Sequence, residues 1–444
     1  MGFRHTDGHQ APAAGTVHLL LPLPQARVTT RMSAGRLTLL WVKVASSEPS
    51  WSVVDLFSGA GGMSYGFHVH PGFRVVGAAD AQMGKPSSGP GRLGCNESYL
   101  ANIGVAPVEV DLASASPGDV CGTMGLGDSH VTVLTACPPC TGFSRTLAHN
   151  HLRDDARNSL VRGVARYVEH LRPEIVLMEN ARELVIGRFS AHLQGLLDDL
   201  HGLGYRTSAS TQFLNAYGLP QRRERALVVA VRRPLPLRTL TELWSGWQVD
   251  VKCTHVRRAI WEMRPVAAGQ ADPLDPMHVS PALKSEVTRR RLAATPKDGG
   301  GWADLAGHPN AAELLTPSMK KRVEEHDFGS HPDVYGRLWW DRPAVTIKRE
   351  CAHIGNGRYA HPEQDRECTV REMAILQGFP YGYRLSGSVA NMYRHVGDAV
   401  PPLISYQLAA LSRWILTGDR PSAEEVVLPG CHLAAEDIMP VPLA

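Results

Sequence analysis

Cys140 stands in the stretch Thr135-Ala136-Cys137-Pro138-Pro139-Cys140-Thr141-Gly142-Phe143-Ser144, directly after the apolar run Val131 to Ala136. Such a run reads as a buried strand. Two prolines then forbid helix and sheet pairing, and Gly142 permits a tight turn. The result is a rigid loop at a strand end that presents a thiol. That thiol can be a nucleophile, a metal ligand, half of a redox pair, or simply buried. Cys137-Pro-Pro-Cys140 has the C-x-x-C form, but structural zinc needs a second close ligand pair and the other six cysteines are isolated. A redox dithiol would open a helix in a small thioredoxin-like unit, whereas Thr141-Gly142 follows here in a far longer chain. A zinc deaminase would need H-x-E ahead of P-C-x-x-C; His361-Pro-Glu363 comes after the thiol and no P-C-x-x-C is present.

Three further polar clusters stand with the thiol: Phe57 to Gly62, Glu179-Asn180, and Gln221 to Arg225. All four are expected at the C-terminal ends of strands, the edge of an open α/β sheet where ligands bind. A thiol, a carboxylate and paired arginines suit addition to an electron-poor ring. The thiolate attacks, a protonated acid neutralises charge on a ring nitrogen, and arginine stabilises the anion.

The elements that must position these groups follow from the pattern. Ser52 to Phe57 reads as a buried strand, Ser58-Gly59-Ala60-Gly61-Gly62 as a glycine turn, and Met63 to Val69 as a helix start. A second strand, Arg74 to Ala79, ends at Asp80, and a third, Val108 onward, at Asp111. Strand, glycine turn, helix, strand and acid open a doubly wound nucleotide-type fold, although the spacing is not G-x-G-x-x-G. Asn158 to Leu171 is expected as a helix with Leu160, Val164, Val168 and Leu171 on one face. Strands at Glu174 to Met178, Ser208 to Leu214 and Ala226 to Val231 complete a mainly parallel sheet, with a helix through Leu193 and Leu200 between the first two.

From Pro234 to about Asp341 the rhythm breaks into Pro, Gly, Arg, His and recurrent Trp. Residues 1–50 show no sustained period and read as a loosely ordered leader, with Met32 an alternative start; 417–444 read as a tail. Of 444 residues, 43% are hydrophobic and 20% charged, and no apolar run approaches the roughly 18 residues of a membrane span. Eight irregularly spaced cysteines do not make a disulfide framework, which points to a reducing cytoplasm. Net charge is only +3, but Arg222 to Arg264 holds ten Lys/Arg against four Asp/Glu, and Arg289-Arg290-Arg291 follows. A basic middle in a near-neutral chain suits a polyanion held at one place, or else a solvated charged face.

In their order, the motifs of residues 52–416 resemble those of the DNA (cytosine-5) methyltransferase family. Asp55-Leu-Phe-Ser-Gly-Ala-Gly-Gly62 resembles its S-adenosylmethionine loop, Pro138-Pro-Cys-Thr-Gly-Phe-Ser144 its nucleophile loop, and Glu179-Asn180-Ala181 its Glu-Asn-Val. Gln221-Arg-Arg-Glu-Arg225 is similar to its Gln-x-Arg-x-Arg. Thr369-Val-Arg-Glu372 with Gln377-Gly-Phe-Pro380, and Gly397-Asp-Ala-Val-Pro-Pro402, resemble its closing blocks.

The resemblance implies a Rossmann-like, S-adenosylmethionine-dependent α/β fold over 51–233. It also implies a smaller irregular target-recognition domain over 234–390, and a return to the catalytic domain over 391–416. Cys140 would add to C6 of a flipped-out cytosine, Glu179 would serve ring N3, and Arg223 and Arg225 would favour thiolate. Asn180 would hold the loop, with Ser144 helping to anchor it. Around the cofactor, Phe57 would face the adenine, Asp80 the ribose and Asp111 the adenine amino group. Ser58, Gly59, Ala60, Gly61, Gly62, Pro139, Asp398 and Ala399 would complete that site, with no metal. Duplex DNA is the implied substrate of a monomeric bacterial or phage enzyme, with a restriction endonuclease as a separately acting counterpart. Thr141, Ala181, Tyr381 and Asp398 depart from the family's usual Gln, Val, Asp and Asn. A catalytically silent DNA-binding relative, or an RNA cytosine-5 methyltransferase, is the competing reading.

Overall fold

The computed structural model describes residues 51–83, 92–127, 129–139, 158–188, 190–326 and 333–441, together with the backbone of 26–33 and 36–43. Two compact units result, Met1–Glu48 and Pro49–Ala444. In the first, β1 (Ala26–Ser33) and β2 (Arg36–Lys43) pair antiparallel, Ser33 opposite Arg36. No sustained period in the sequence marks these strands. Both segments are nonetheless rich in the Val, Thr, Leu and Trp that a pleated strand accommodates.

The second unit is built on a seven-stranded sheet. Its elements are β3 (Trp51–Leu56), α1 (Gly62–Val69), β4 (Phe73–Asp80), α2 (Cys95–Ile103), β5 (Val108–Glu109), α3 (Pro117–Thr123) and β6 (Val133–Ala136). Then come α4 (Ser159–Leu171), β7 (Ile175–Ala181), α5 (Glu183–Ile186), α6 (Ala191–Gly202), β8 (Tyr205–Phe213) and β9 (Glu224–Arg232). Strand order is β5-β4-β3-β6-β7-β9-β8. The first five run parallel, and β9 is antiparallel to both β7 and β8. This corrects one expectation. Gln221 to Arg225 lead into and open a strand instead of ending one, and they reach the ligand edge because β9 is reversed, with Ala181 opposite Arg225.

Helix α4 forms where expected, but Val161, Val164, Tyr167 and Val168 are its buried residues. Leu160 is half-buried and faces the cavity described below. The sheet is covered on one face by α3, α4 and α6, whose Val120, Val164 and Leu196 pack with Val54, Leu134 and Val176. Buried on both faces, a parallel strand needs a continuous apolar run, which β6 and the first half of β7 supply.

The chain continues through α7 (Leu240–Leu243), β10 (Trp247–Val249), α8 (Val256–Ile260), β11 (Ala271–Asp272), β12 (Asp275–Val279), α9 (Glu286–Ala294), α10 (Ala311–Leu314) and α11 (Pro317–Glu324). It closes with α12 (Val370–Leu376), α13 (Val389–Asp398), α14 (Pro402–Thr417) and β13 (Ile438–Pro440). On the sheet's other face, Leu227, Val229 and Val231 pack with Leu240, Leu243 and Trp244, with Leu408 and Leu411 of α14, and with Val426 and Leu428. Residues 417–441 are therefore no loose tail: Val426 and Leu428 are fully buried, and β13 pairs with β10. Their few apolar residues are too sparse for a periodic signal, yet each fills the core. Among the tryptophans of the irregular region, Trp244, Trp302 and Trp340 are buried while Trp261 is half exposed. No helix among the described residues is long and apolar enough to cross a membrane.

Gly66 shows why α1 tolerates glycine in mid-helix, where alanine would be more helix-stabilising by ~1 kcal/mol. A Cβ there would lie 2.1 Å from the Tyr406 backbone nitrogen and 2.3 Å from the Ser405 carbonyl carbon, so α14 crosses α1 backbone to backbone. Ser405 also donates a hydrogen bond to the Met63 carbonyl. Gly66→Ala is accordingly expected to destabilise the protein by ~1–3 kcal/mol or more through overpacking. A chemical denaturation midpoint unchanged from wild type would show that the helices part freely.

Candidate active site

At the end of β3 the backbone turns sharply. Phe57 takes φ +59° and Gly59 φ +52°, both in the left-handed region, and Gly61 caps α1 at φ +93°. A bulky residue at positive φ is strained. Here the strain is held by Asp80, whose carboxylate accepts from the Gly59 N–H at 2.9 Å and the Gln82 N–H at 2.6 Å. A carboxylate has about four acceptor positions, so Asp80 can brace the turn and still receive a hydroxyl. Gly61 turns inward, where a Cβ would lie 2.9 Å from the Tyr383 hydroxyl, while the Cβ position of Gly59 is open.

Beneath the turn lies a buried network that sequence reasoning missed. Asp55, fully buried, accepts from Ser64 Oγ and from Thr135 Oγ1, each at 2.6 Å, and Ser64 Oγ is 2.5 Å from the Tyr99 hydroxyl. Burial pushes the Asp55 carboxyl up to about 7, against which the two hydroxyl bonds act only in part. Its place within the glycine-turn motif concealed it as one more motif letter.

A cavity of about 1280 Å3 opens at this edge. That exceeds the roughly 300–1,000 Å3 of a site for one small molecule. Phe57, Ser58, Gly59, Ala60, Gly62, Asp80 and Asp111 line one part; Pro139, Glu179, Asn180, Arg223 and Arg225 another; Asp398 and Ala399 a third. Gly61 is the sequence-expected residue that is described yet turns away from it. Cys140, Thr141 and Ser144 lie outside the described residues. The segment that leads to them, Cys137 to Pro139 directly after β6, lines this cavity.

Around Glu179 the strand register supplies the geometry. Glu179 ends the apolar run of β7 and is 7% exposed. Arg225, paired with Ala181 two residues on, places Nε 3.0 Å from Glu179 Oε1, close enough for an ion pair though not aligned as a hydrogen bond. Asn180 donates from Nδ2 to the Pro138 carbonyl at 2.9 Å, and its Oδ1 accepts from Ala181 N–H. The amide thus ties β7 to the chain two residues before Cys140. Cys137 Sγ accepts the Glu179 N–H at 3.4 Å, and burial together with the nearby Glu179 charge holds the Cys137 thiol well above its ordinary range. A thiol held neutral packs; it does not attack.

The two arginines of the Gln-x-Arg-x-Arg stretch divide their work. Arg223 is 2% exposed and donates to the carbonyls of Ile347 (3.1 Å) and Ala399 (3.4 Å), with Nε 3.9 Å from Glu179 Oε1. Gln221, fully buried, donates to Gln377 Oε1 at 2.6 Å and accepts the Ile347 N–H at 2.9 Å. These two side chains bolt the site to segment 344–347, to the end of α12 and to the turn before α14. Nearby, Arg366 forks onto Glu372 at 2.7 and 2.8 Å, pulling that buried carboxyl down to about 2 after a larger opposing effect of burial, while Thr369 and Glu372 cap α12.

With this geometry in place, the comparisons with known proteins are specific. A profile of C-5 cytosine-specific DNA methylases matches residues 51–411. The chain is 29% identical over 371 residues to the Type II methylase M.HgiDII of Herpetosiphon aurantiacus, covering 83% of this chain and 96% of that one. It is 30% identical over 370 residues to the Type II methyltransferase M.NgoFVII of Neisseria gonorrhoeae, covering 82% and 87%. In fold it matches the S. pombe Dnmt2 methyltransferase at a TM-score of 0.51 and 18% identity, over 82% of this chain and 99% of that one. The chain belongs to the C-5 cytosine-specific DNA methylase family. It is a DNA (cytosine-5-)-methyltransferase.

Asp55 generates a pH signature. Its folded-state value near 7 stands above the unfolded value of 3.8, so the folded state binds the extra proton. Its contribution to stability is full below pH 4 and is lost as pH rises towards 7. Denaturant titrations at pH 5 and pH 8 should show a smaller pH-dependent loss in Asp55→Asn than in wild type. Equal losses in the two proteins would mean that Asp55 is ionised throughout.

Proposed function

We propose that the chain methylates C5 of a cytosine flipped out of a specific duplex DNA sequence, through a covalent bond between Cys140 and C6. The observation that carries this reading is the Glu179–Arg225 pair beside a proline loop that leads into Cys140, all at the edge of a glycine-turn cavity. A base stacked in duplex cannot reach a buried carboxylate, so it must leave the stack.

In this reading the Cys140 thiolate adds to C6 and the C5–C6 electron pair becomes nucleophilic at C5. Glu179 shares a proton with N3 and so limits the charge that develops on the ring. S-adenosylmethionine, bound in the glycine-turn part of the cavity, supplies an electrophilic methyl group. Water then takes the C5 proton, the N3 proton returns to Glu179 and the thiolate leaves C6, which restores the aromatic base and frees the enzyme. Arg225 orients Glu179, Asn180 fixes the loop, and Arg223 keeps the walls of the site together. The open Cβ position of Gly59 and the Phe57 ring, held at the cavity by a strained backbone, fit an adenosine moiety. Asp80 would take ribose hydroxyls and Asp111 the adenine amino group.

The basic region within 234–390 would bind DNA as the target-recognition segment, its Lys and Arg side chains contacting phosphates and a few others reading base edges. Arg222, Arg342 and Lys348 line the cavity on this side. Since the named relatives are Type II methylases, protection of DNA from a separately acting restriction endonuclease is the biological role we favour.

Bisulfite sequencing of DNA from cells expressing the chain is expected to show cytosines methylated in one fixed motif. Cys140→Ala should abolish this signal, and Glu179→Gln should lower the single-turnover rate by roughly 10²–10⁴-fold, the usual worth of a positioned proton donor. Full methylation by Cys140→Ala would overturn the covalent mechanism, and transfer to tRNA in preference to duplex DNA would overturn the substrate.

A further inference from the structure

We propose that Arg349 and Asp398 form a zwitterion cradle for the amino-acid end of the methyl donor. Arg349 would receive its α-carboxylate and Asp398 its α-ammonium. This rests on the reading of S-adenosylmethionine as donor.

Arg349 is 8% exposed and lines the cavity. Its Nη1 lies 3.1 Å from Asp398 Oδ2, but its buried Nε and Nη2 donate no hydrogen bond among the described residues. Buried donors left without an acceptor are rare because they have given up water for nothing. A guanidinium with one edge engaged and its Nε–Nη2 edge unspent has the fork geometry that takes a carboxylate through two parallel bonds. Asp398 is more open, with 43% of its side chain exposed, so a cation in the cavity can reach it.

The pair stands at the glycine turn and not merely somewhere in the cavity. A Cβ on Gly397 would lie 2.4 Å from the Arg349 backbone nitrogen, and a Cβ on Gly62 would lie 2.2 Å from the Val400 carbonyl oxygen. Residues 397–400 are therefore sandwiched between Arg349 and the turn after β3. The donor's far end carries one positive and one negative group on a single carbon, the complement of one carboxylate and one guanidinium set side by side. In the proposed complex the guanidinium turns its Nη2 edge towards the cavity as the carboxylate arrives. This also explains why the chain tolerates an acid at 398, where its family usually has Asn. The added charge comes with its own counter-ion, and together they recognise a zwitterion.

The test is calorimetric binding without DNA, using S-adenosylhomocysteine, its decarboxylated analogue and its deaminated analogue. Arg349→Gln is expected to weaken S-adenosylhomocysteine about tenfold or more, the scale of one charge-assisted hydrogen bond, and to leave the decarboxylated analogue within about twofold of wild type. Asp398→Ala should weaken S-adenosylhomocysteine yet spare the deaminated analogue. Arg349→Lys, which keeps the charge without the fork, should fall between wild type and Arg349→Gln, and serves if Arg349→Gln does not fold. Equal losses for all three ligands, or no loss, would overturn the cradle. So would weakened DNA binding alone, which would make Arg349 a phosphate contact. Failure of wild type to bind any of the three would instead overturn the donor reading.

Discussion

The reversed direction of β9 is the constraint on which the catalytic edge depends. In a wholly parallel sheet, residues entering a strand and residues leaving its neighbour lie at opposite edges. Because β9 runs against β7, Arg225 at its start lies across from Ala181 at the end of β7. Glu179 and Arg225 can then meet at 3.0 Å with both side chains largely buried. An ion pair in such a place contributes little net stability, since desolvation offsets most of the attraction, but losing one partner strands the other. Its effect is positional: it holds a carboxylate at the cavity wall.

Around that pair, the site is assembled from segments far apart in the chain. Gln221 reaches Gln377, and Arg223 reaches Ile347 and Ala399, so one polar stretch of five residues gathers three others. The turn before α14 is also pressed against Gly62, whose missing side chain lets Val400 approach. The glycine turn, the carboxylate and the arginines therefore share walls. A ligand in one part of the cavity touches elements that also form the other, which suits a reaction that needs two substrates held together.

Much of this was legible from the residues. Alternating apolar runs marked the strands of the sheet, because a strand covered on both faces must be apolar throughout, and turn glycines punctuated them. Direction was not legible. Ala226 to Val231 is an apolar run that reads the same whichever way it is laid, so the sheet's reversal appears only in three dimensions. The separate placing of neighbouring polar residues was not legible either. Arg223 and Arg225 are two residues apart, yet one ties backbone together and the other faces the acid. Leu160 looked like core by its helical spacing, but Val161, one position on, is the residue that packs inward. Arg349 carried no local signal at all, since its meaning depends on Asp398, which only folding brings beside it.

The crossing of α1 and α14 links residues separated by 342 positions, as the Ser405–Met63 contact shows. At ribosomal rates of roughly 5–20 residues per second, the groove on α1 waits on the order of 20–70 s for the helix that fills it. During that interval the Leu227–Val231 face of the sheet also lacks the α14 and 426–438 residues that cover it. A nascent chain thus carries every motif of the site before it can close the sheet beneath them. A chain that stopped short of α14 would leave this apolar face of the sheet uncovered.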